Sequence, residues 1–242
     1  MAHFYLDESI DTLSEGDIHV LSGSEARHAV TVSRIGMGER IRLGNGAGVV
    51  AEVNVIATTK ESLTCSVLHV EKAEVSSPRM ILVQALAKGD RDERAIEAAT
   101  ELGVDVVIPW SATRSISQWD ERKAPKALAK WESIVREATK QSIRPFIPKV
   151  QPRSNSAEVL ALLPDTQIIV LDPGGESSLA SVPLKGTDIA VVVGPEGGLS
   201  PSEINLFTSA EASICTLGEN ILRTSTAGPA ALAILLARLG RC

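Results

Sequence analysis

Two kinds of hydrophobic pattern divide the chain. Within residues 1–73, short segments such as 49–57 alternate apolar and partly polar positions, which is the period of a half-buried strand. From residue 78 onward, short continuous apolar runs such as 189–193 alternate with longer segments whose apolar positions recur every three to four residues. The first pattern, with its glycine turns, predicts a small β-barrel over 1–73. The second predicts an α/β domain over 78–242 with a mostly parallel sheet.

Individual elements follow from the same pattern. In the first part, strands are predicted over 3–6, 18–21, 40–43, 49–57 and 63–70, with one helix over 24–33. In the second part, strands are predicted over 80–86, 104–109, 167–171, 189–193 and 213–217. Helices are predicted over 91–102, over 126–142, up to 160–163, from Ser200 onward and over 230–237. Ser200, Pro201 and Glu203 have the pattern of an N-cap, a first helical proline and a capping box, and Thr224 or Ser225 is expected to cap the last helix.

A glycine-rich turn, 194–198, lies between the strand at 189–193 and the helix that begins at Ser200. A strand, a glycine loop and a helix start in this order bring backbone N–H groups close to a ligand, although the same order also makes an ordinary α/β turn. Glu196 would repel phosphate, so the turn favours a cationic or zwitterionic ligand over a nucleotide held by its phosphates. At Gly197 we expect either a backbone conformation or a close approach that a Cβ would block.

Charge is distributed unevenly. The net charge is −6, yet residues 114–153 contain ten basic and four acidic residues. This basic segment is either an electrostatic contact surface for phosphates or a solvated helix face. Aromatic residues make up only 3% of the chain, which argues against a row of stacked bases.

The sequence disfavours several classes of protein and of functional site. The three cysteines, Cys65, Cys215 and Cys242, are scattered and form no C-x-x-C pair, which predicts a reducing, cytoplasmic setting without disulfides or zinc. All four histidines lie within residues 1–69, so no histidine-based metal or catalytic site is expected in the α/β domain. The N-terminal residues do not predict a signal peptide, and because the sequence has no apolar run of about 20 residues, no membrane segment is predicted.

Two motifs carry a resemblance to a known family. The turn Gly194-Pro195-Glu196-Gly197-Gly198, paired with the segment LGENILRTSTA at 217–227, resembles motifs of the SPOUT methyltransferases. More narrowly, the pair resembles the RsmE family, which methylates N3 of a uridine in 16S ribosomal RNA. Segments 88–91, 99–104, 114–115 and 130–144 extend the similarity along the chain, as do His28 and Arg34 near the N-terminus. The chain departs from the family pattern at Ala98, Lys140 and Ser225.

The resemblance implies a trefoil-knotted, mostly parallel sheet, an N-terminal PUA-like barrel that binds RNA, and a homodimer. It also implies S-adenosylmethionine as cofactor and 16S ribosomal RNA or the small ribosomal subunit as substrate. The expected cofactor contacts are Leu171, Gly194, Pro195, Glu196, Gly197, Gly198, Leu217, Gly218, Ile221, Leu222, Arg223, Thr226 and Ala227. The expected RNA contacts are His28, Arg34, Arg91 and Arg144.

Methylation of a uridine at N3 requires a fixed positive charge near the base and does not require a nucleophilic side chain. N3 must lose a proton before it attacks a methyl group, and a nearby positive charge stabilises the resulting anion. Arg223 is the first candidate, and Arg114 is the second, with a phosphate contact as its alternative role. Glu196 is the third catalytic candidate, and it is expected either to lie near the sulfonium or to order its loop. Two rival functions remain open: ribose 2′-O methylation by another SPOUT enzyme, and RNA binding without catalysis.

Overall fold

The computed structural model describes residues 3–241. Met1 and Cys242, the outer ends of the two predicted domains, therefore lie outside the described residues. Cys242 is also one of the three cysteines considered above. The chain forms two compact units. The first contains the residues up to Val75 together with Thr139–Ile147, and the second contains Ser76–Ala138 and the residues from Pro148 onward.

The first unit is built on a five-stranded sheet with the order β1-β3-β4-β5-β2. Its strands are β1 (Phe4–Leu6), β2 (Ile18–Ser22), β3 (Arg40–Gly44), β4 (Val49–Thr58) and β5 (Ser62–Lys72). All pairings are antiparallel except β1 with β3. The predicted alternation is confirmed in β4, where Ala51, Val53 and Val55 are fully buried in the core of this unit.

Only the first half of the helix predicted over 24–33 is α-helical. Helix α1 (Gly23–Arg27) passes directly into a π-helical turn, His28–Val32. Val30, Thr31 and Val32 are β-branched, so each side chain crowds the preceding helical turn, which disfavours a regular α-helix here. The turn ends at Ser33, and Arg34 then takes a left-handed conformation with φ 56°.

Residues 139–147 belong to the first unit, although 139–141 are the last turn of a helix that starts in the second. Phe146 forms a bridge with Ala47, and backbone N–H groups of Gly48 and Ile147 donate to Pro145 and Gly46 respectively. Lys140, one of the departures from the family pattern, is ion-paired with Glu25 at 3.0 Å, and each side chain is only 11% exposed. Both partners lie in the first unit, so this departure has a structural partner there.

The second unit is a seven-stranded parallel sheet with the order β10-β12-β9-β11-β6-β7-β8. The strands are β6 (Met80–Ala85), β7 (Val106–Trp110), β8 (Lys149–Val150), β9 (Gln167–Leu171), β10 (Ser177–Ser178), β11 (Ile189–Val193) and β12 (Ser213–Thr216). The helices are α2 (Arg91–Leu102), α3 (Ala124–Gln141), α4 (Ser156–Ala161), α5 (Pro201–Ser209) and α6 (Thr224–Arg238). This arrangement confirms the predicted α/β class with a parallel sheet.

Several local predictions in this unit are confirmed. Helix α2 begins and ends where predicted, and Gly103 follows it in the left-handed conformation with φ 108°. Ser200 caps α5 and forms the expected capping box with Glu203. The predicted cap of α6 is wrong, because Arg223 occupies the N-cap position without a side-chain cap. Thr224 is already helical, and its hydroxyl instead donates to the carbonyl of Gly194.

The sheet order determines where a ligand can bind. Strands β12, β9 and β11 are direct neighbours and all run in the same direction, so their carboxyl ends lie along one edge. Helix α6 packs close to the sheet at Gly228, where an added Cβ would lie 3.0 Å from a methyl group of Leu82. Among the described residues 3–241, no helix is both long and apolar enough to cross a membrane.

Candidate active site

A cavity of about 560 Å³ opens at the carboxyl edge of the parallel sheet. Loops that follow β9, β11 and β12 line it, as expected for a ligand site in an open α/β sheet. Its volume lies in the range typical of small-molecule sites. The lining residues are Arg91, 171–173, 193–199, 215–224 and Ala227.

The cavity brings together nearly all of the expected cofactor contacts. Both sequence motifs contribute, since the glycine turn at 194–198 and the segment at 217–223 form much of the lining. Thr226 is the exception: it is exposed and does not line the cavity. Thr224 and Ala227, three residues apart, share the helix face that meets the cavity, and Thr226 lies off that face.

Glu196 connects the glycine turn to the start of α2. One oxygen of its carboxylate accepts hydrogen bonds from the guanidinium of Arg91 at 2.6 Å and from the backbone N–H of Lys88 at 3.1 Å. Burial by itself would raise the pKa of Glu196, but hydrogen bonds from the backbone and from Arg91 outweigh it and hold the pKa below its usual value. Glu196 is therefore a charged group that ties two loops together.

Arg114 supports the same turn from another direction. Its guanidinium donates to the carbonyl oxygens of Gly197 at 3.2 Å and Leu199 at 3.0 Å. A Cβ added at Gly197 would lie 3.1 Å from Cβ of Arg114 and 3.3 Å from its carbonyl oxygen. The close approach expected at Gly197 is thus an approach to Arg114, and the left-handed backbone belongs to Gly198, with φ 68°. Arg114 itself does not line the cavity.

Arg223 differs from Arg114 and Arg91 in its contacts. It lines the cavity at the N-cap of α6, and its side chain is exposed. Within residues 3–241, its guanidinium has no hydrogen bond or ion pair. Of the three arginines, Arg223 is therefore the one whose charge is free to meet a substrate at the cavity.

The expected RNA contacts are divided between the two units. His28 and Arg34 are exposed in the first unit, on and just after the π-helical turn, and the ring of His28 meets Tyr5 edge-on. Arg144 is half-buried in the segment 139–147 of that unit. Arg91 lies in the second unit, where it lines the cavity and is paired with Glu196.

Two side chains near the cavity were not predicted. Gln84 on β6 donates to the hydroxyl of Thr224 at 2.9 Å, and that hydroxyl donates to the carbonyl of Gly194 at 3.0 Å. The sequence contains a signal for the first of these, because Gln84 is a polar residue inside the apolar run 80–86. The segment 172–173, which also lines the cavity, follows the predicted strand at 167–171.

A parallel sheet with this cavity, together with a small β unit, is the arrangement that the resemblance to the SPOUT RNA methyltransferases implies. The family described as an RNA methyltransferase domain matches residues 75–236, and the family described as an RNA methyltransferase PUA domain matches residues 21–68. The chain belongs to the family of ribosomal RNA small subunit methyltransferase E, the RsmE family.

Individual relatives match over nearly the full chain. The Mycobacterium bovis ribosomal RNA small subunit methyltransferase E is 35% identical over 95% of this chain and 88% of its own length. The protein of that name from Bacillus subtilis is 30% identical, with 94% and 93% covered. The crystal structure of a Neisseria gonorrhoeae protein of that name, bound to S-adenosyl methionine, has a TM-score of 0.89 and 29% identity, and 98% of each chain is covered.

Proposed function

We propose that the protein transfers a methyl group from S-adenosylmethionine to N3 of a uridine in 16S ribosomal RNA, and that it acts in the cytoplasm. The observation that carries the proposal is a cavity lined by both family motifs and by the unpaired cation of Arg223. The substrate and the base position come from the family to which the chain belongs.

The residues of the cavity fit this cofactor. Leu171, Leu217, Ile221 and Leu222 supply apolar surface for a nucleobase, and the glycines of both loops expose backbone N–H and C=O groups. The carboxylates of Glu196 and Glu219 also line the cavity, and they suit a cationic ligand and repel phosphate. These features support a nucleoside that carries a positive charge rather than a nucleotide.

The chain's own part in the reaction is alignment and charge stabilisation. When bound, S-adenosylmethionine supplies an electrophilic methyl group together with its own leaving group. The guanidinium of Arg223 stabilises the negative charge that develops on the uracil as N3 gives up its proton. Each unit by which the site lowers the pKa of N3 corresponds to about 1.4 kcal/mol of stabilisation of the uracil anion. Arg114 and Glu196 act on the glycine turn, so we assign them positioning roles.

The product distinguishes this function from its rivals. We expect digested small-subunit RNA from the reaction to contain N3-methyluridine when analysed by mass spectrometry. A methyl group on ribose would instead favour the 2′-O reaction. Failure of S-adenosylmethionine to bind in calorimetry would favour an RNA-binding protein without catalysis.

The role of Glu196 gives a separate prediction. Glu196→Gln removes the charge that pairs with Arg91, and we expect it to weaken S-adenosylmethionine binding roughly three- to tenfold. The pKa of Glu196 is held below its usual value, so the carboxylate is charged at neutral pH and its ion pair with Arg91 stabilises the glycine turn. This stabilisation is lost as the pH falls through the lowered pKa. Wild-type affinity, measured by calorimetry against pH, should therefore show an acid-side decrease that Glu196→Gln lacks.

Arg91→Met is the matched variant for that experiment, since it removes the other half of the ion pair. The two single variants should have similar effects, and the double variant should be little worse than either. A large fall in the methylation rate of Glu196→Gln at saturating cofactor and RNA would contradict a positioning role and return Glu196 to the catalytic group.

We propose that His28, Arg34 and Arg144 of the first unit contact RNA. Arg34→Ala should weaken RNA binding, with the slope of log affinity against log salt reduced by about one unit if a phosphate contact is lost. Cofactor affinity and the rate at saturating RNA should stay near wild type. Arg40→Ala is a suitable control because that guanidinium is already paired with Glu52 in the same unit. If both the affinity for RNA and the slope were unchanged in Arg34→Ala, Arg34 would be removed from the RNA contacts.

The homodimer and the trefoil knot rest on the family resemblance alone and stay predictions. Light scattering of the purified protein at several concentrations tests the dimer, and a mass of one chain throughout would contradict it.

A further inference from the structure

Gln84 is a polar side chain in a strand that is otherwise apolar and wholly buried. Every residue of β6 is buried, and Gln84 is 0% exposed between its sheet neighbours Val193 on β11 and Pro109 on β7. Burial of an amide costs free energy unless its hydrogen-bonding groups find partners. The amide oxygen of Gln84 is buried and has no hydrogen-bond partner among residues 3–241, so the presence of an amide here requires a specific explanation.

The contacts of the amide form a two-step bridge. Its nitrogen donates to the carbonyl of Ala85 at 3.0 Å and to the hydroxyl of Thr224 at 2.9 Å. The hydroxyl of Thr224 donates its proton to the carbonyl of Gly194 at 3.0 Å, so its oxygen is the acceptor for Gln84. The direction of each hydrogen bond is thereby fixed.

The bridge joins two loops that line the cavity. Gly194 is the first residue of the glycine turn after β11, and Thr224 is the first residue of α6, directly after Arg223. Both Gly194 and Thr224 line the cavity, whereas Gln84 lies behind them in the sheet and does not. One side chain of a central strand therefore holds the beginning of one loop to the end of the other.

We infer that Gln84 and Thr224 are positioning residues that fix the spacing between the two cofactor loops and, through the start of α6, the location of Arg223. The inference deepens the proposed function and rests on it for the identity of the ligand. If the donor of Gln84 is lost, the hydroxyl of Thr224 is free to rotate away from Gly194. If that hydroxyl is lost, the carbonyl of Gly194 and the amide nitrogen of Gln84 each lose a buried partner.

The test uses the cofactor-free protein and then adds the cofactor. Thr224→Val removes the hydroxyl with little change in shape, Gln84→Met removes the amide, and the double variant combines them. Thr224→Ser restores a hydroxyl at the same position. Thr100→Val is the control, because Thr100 is also 0% exposed and its hydroxyl donates to a backbone carbonyl, that of Ile96, away from the cavity lining.

Hydrogen exchange of the cofactor-free protein provides a readout that does not depend on the ligand. In Thr224→Val and Gln84→Met, we expect the backbone amides of Gly198, Thr226 and Ala227 to exchange roughly five- to a hundredfold faster than in wild type, because they donate to the carbonyls of Pro195 and Arg223 beside the bridge. Thr100→Val should lower the midpoint of urea unfolding without this local change. Thr224→Ser should recover most of the protection that Thr224→Val loses.

Calorimetry with S-adenosylmethionine provides the second readout. Each single variant should bind the cofactor roughly five- to a hundredfold more weakly, and the double variant should be little weaker than the worse single one, because one bridge is broken in all three. Additive effects, or exchange at Gly198 and at the first turn of α6 that is as slow as in wild type, would overturn the inference. If wild type fails to bind S-adenosylmethionine, the proposed function falls, and the exchange rates still decide whether the bridge fixes the two loops.

Discussion

Arg223→Ala is expected to slow methyl transfer at saturating cofactor and RNA by roughly ten- to a thousandfold. The guanidinium lines the cavity and has no other partner within residues 3–241, so its charge is available to the uracil. The loss should be smaller at high pH, where the uridine ionises without help. Cofactor affinity should change much less than the rate.

Single-turnover methylation at several pH values measures this effect. Arg223→Lys keeps the charge and should retain part of the rate, although its ammonium cannot reproduce the shape of the guanidinium. Arg94→Ala is a control for loss of an arginine in the same unit, because Arg94 is exposed and pairs with Asp90 on the surface of α2. A normal saturated rate for Arg223→Ala would contradict its catalytic role.

Gly197→Val should weaken S-adenosylmethionine binding roughly a hundredfold while the protein stays folded. Arg114 lies so close that the first added carbon already meets it, and the γ-methyl groups of valine require still more space. The turn must then move, and its hydrogen bonds to the guanidinium of Arg114 are strained or lost.

A graded series separates crowding from other causes. Gly197→Ala adds only the carbon that lies 3.1 Å from Arg114, so its effect should be clearly smaller than that of valine. Calorimetry gives the affinities, and urea unfolding reports whether the fold is intact. Unchanged affinity for Gly197→Val would exclude this turn from the cofactor site.

Much of the fold is predictable where local and global signals agree. The capping box at Ser200 and Glu203 is encoded within four residues, and the β-branched apolar run 189–193 is typical of a strand that is covered on both faces of the sheet. The two-residue strands β8 and β10 lie at the edges of the sheet and are too short to show a period. The cap of α6 was predicted wrongly because the tertiary bond of Thr224 to Gly194 replaces the local cap.

The candidate site was likewise predictable in part from the sequence. The motifs locate the loops at 194–198 and 217–223, and the parallel sheet brings them to one cavity. The partners of Glu196, Arg114 and Gln84 are 105, 83 and 140 positions away from them along the chain at Arg91, Gly197 and Thr224. No local pattern reports such pairs, so the sequence suggests which side chains are charged but not which of them remain available for chemistry.

The segment 139–147 affects how readily the two units of this chain can be exchanged between related proteins by recombination. Because it packs with the first unit, the chain passes between the two units at 75–76, at 138–139 and again at 147–148. A recombination event at 75–76 alone would transfer the five-stranded sheet without the residues that bond to Gly46 and Gly48. Inheritance of the first unit from another lineage would therefore have to bring two separate stretches of gene together, which favours co-inheritance of both units.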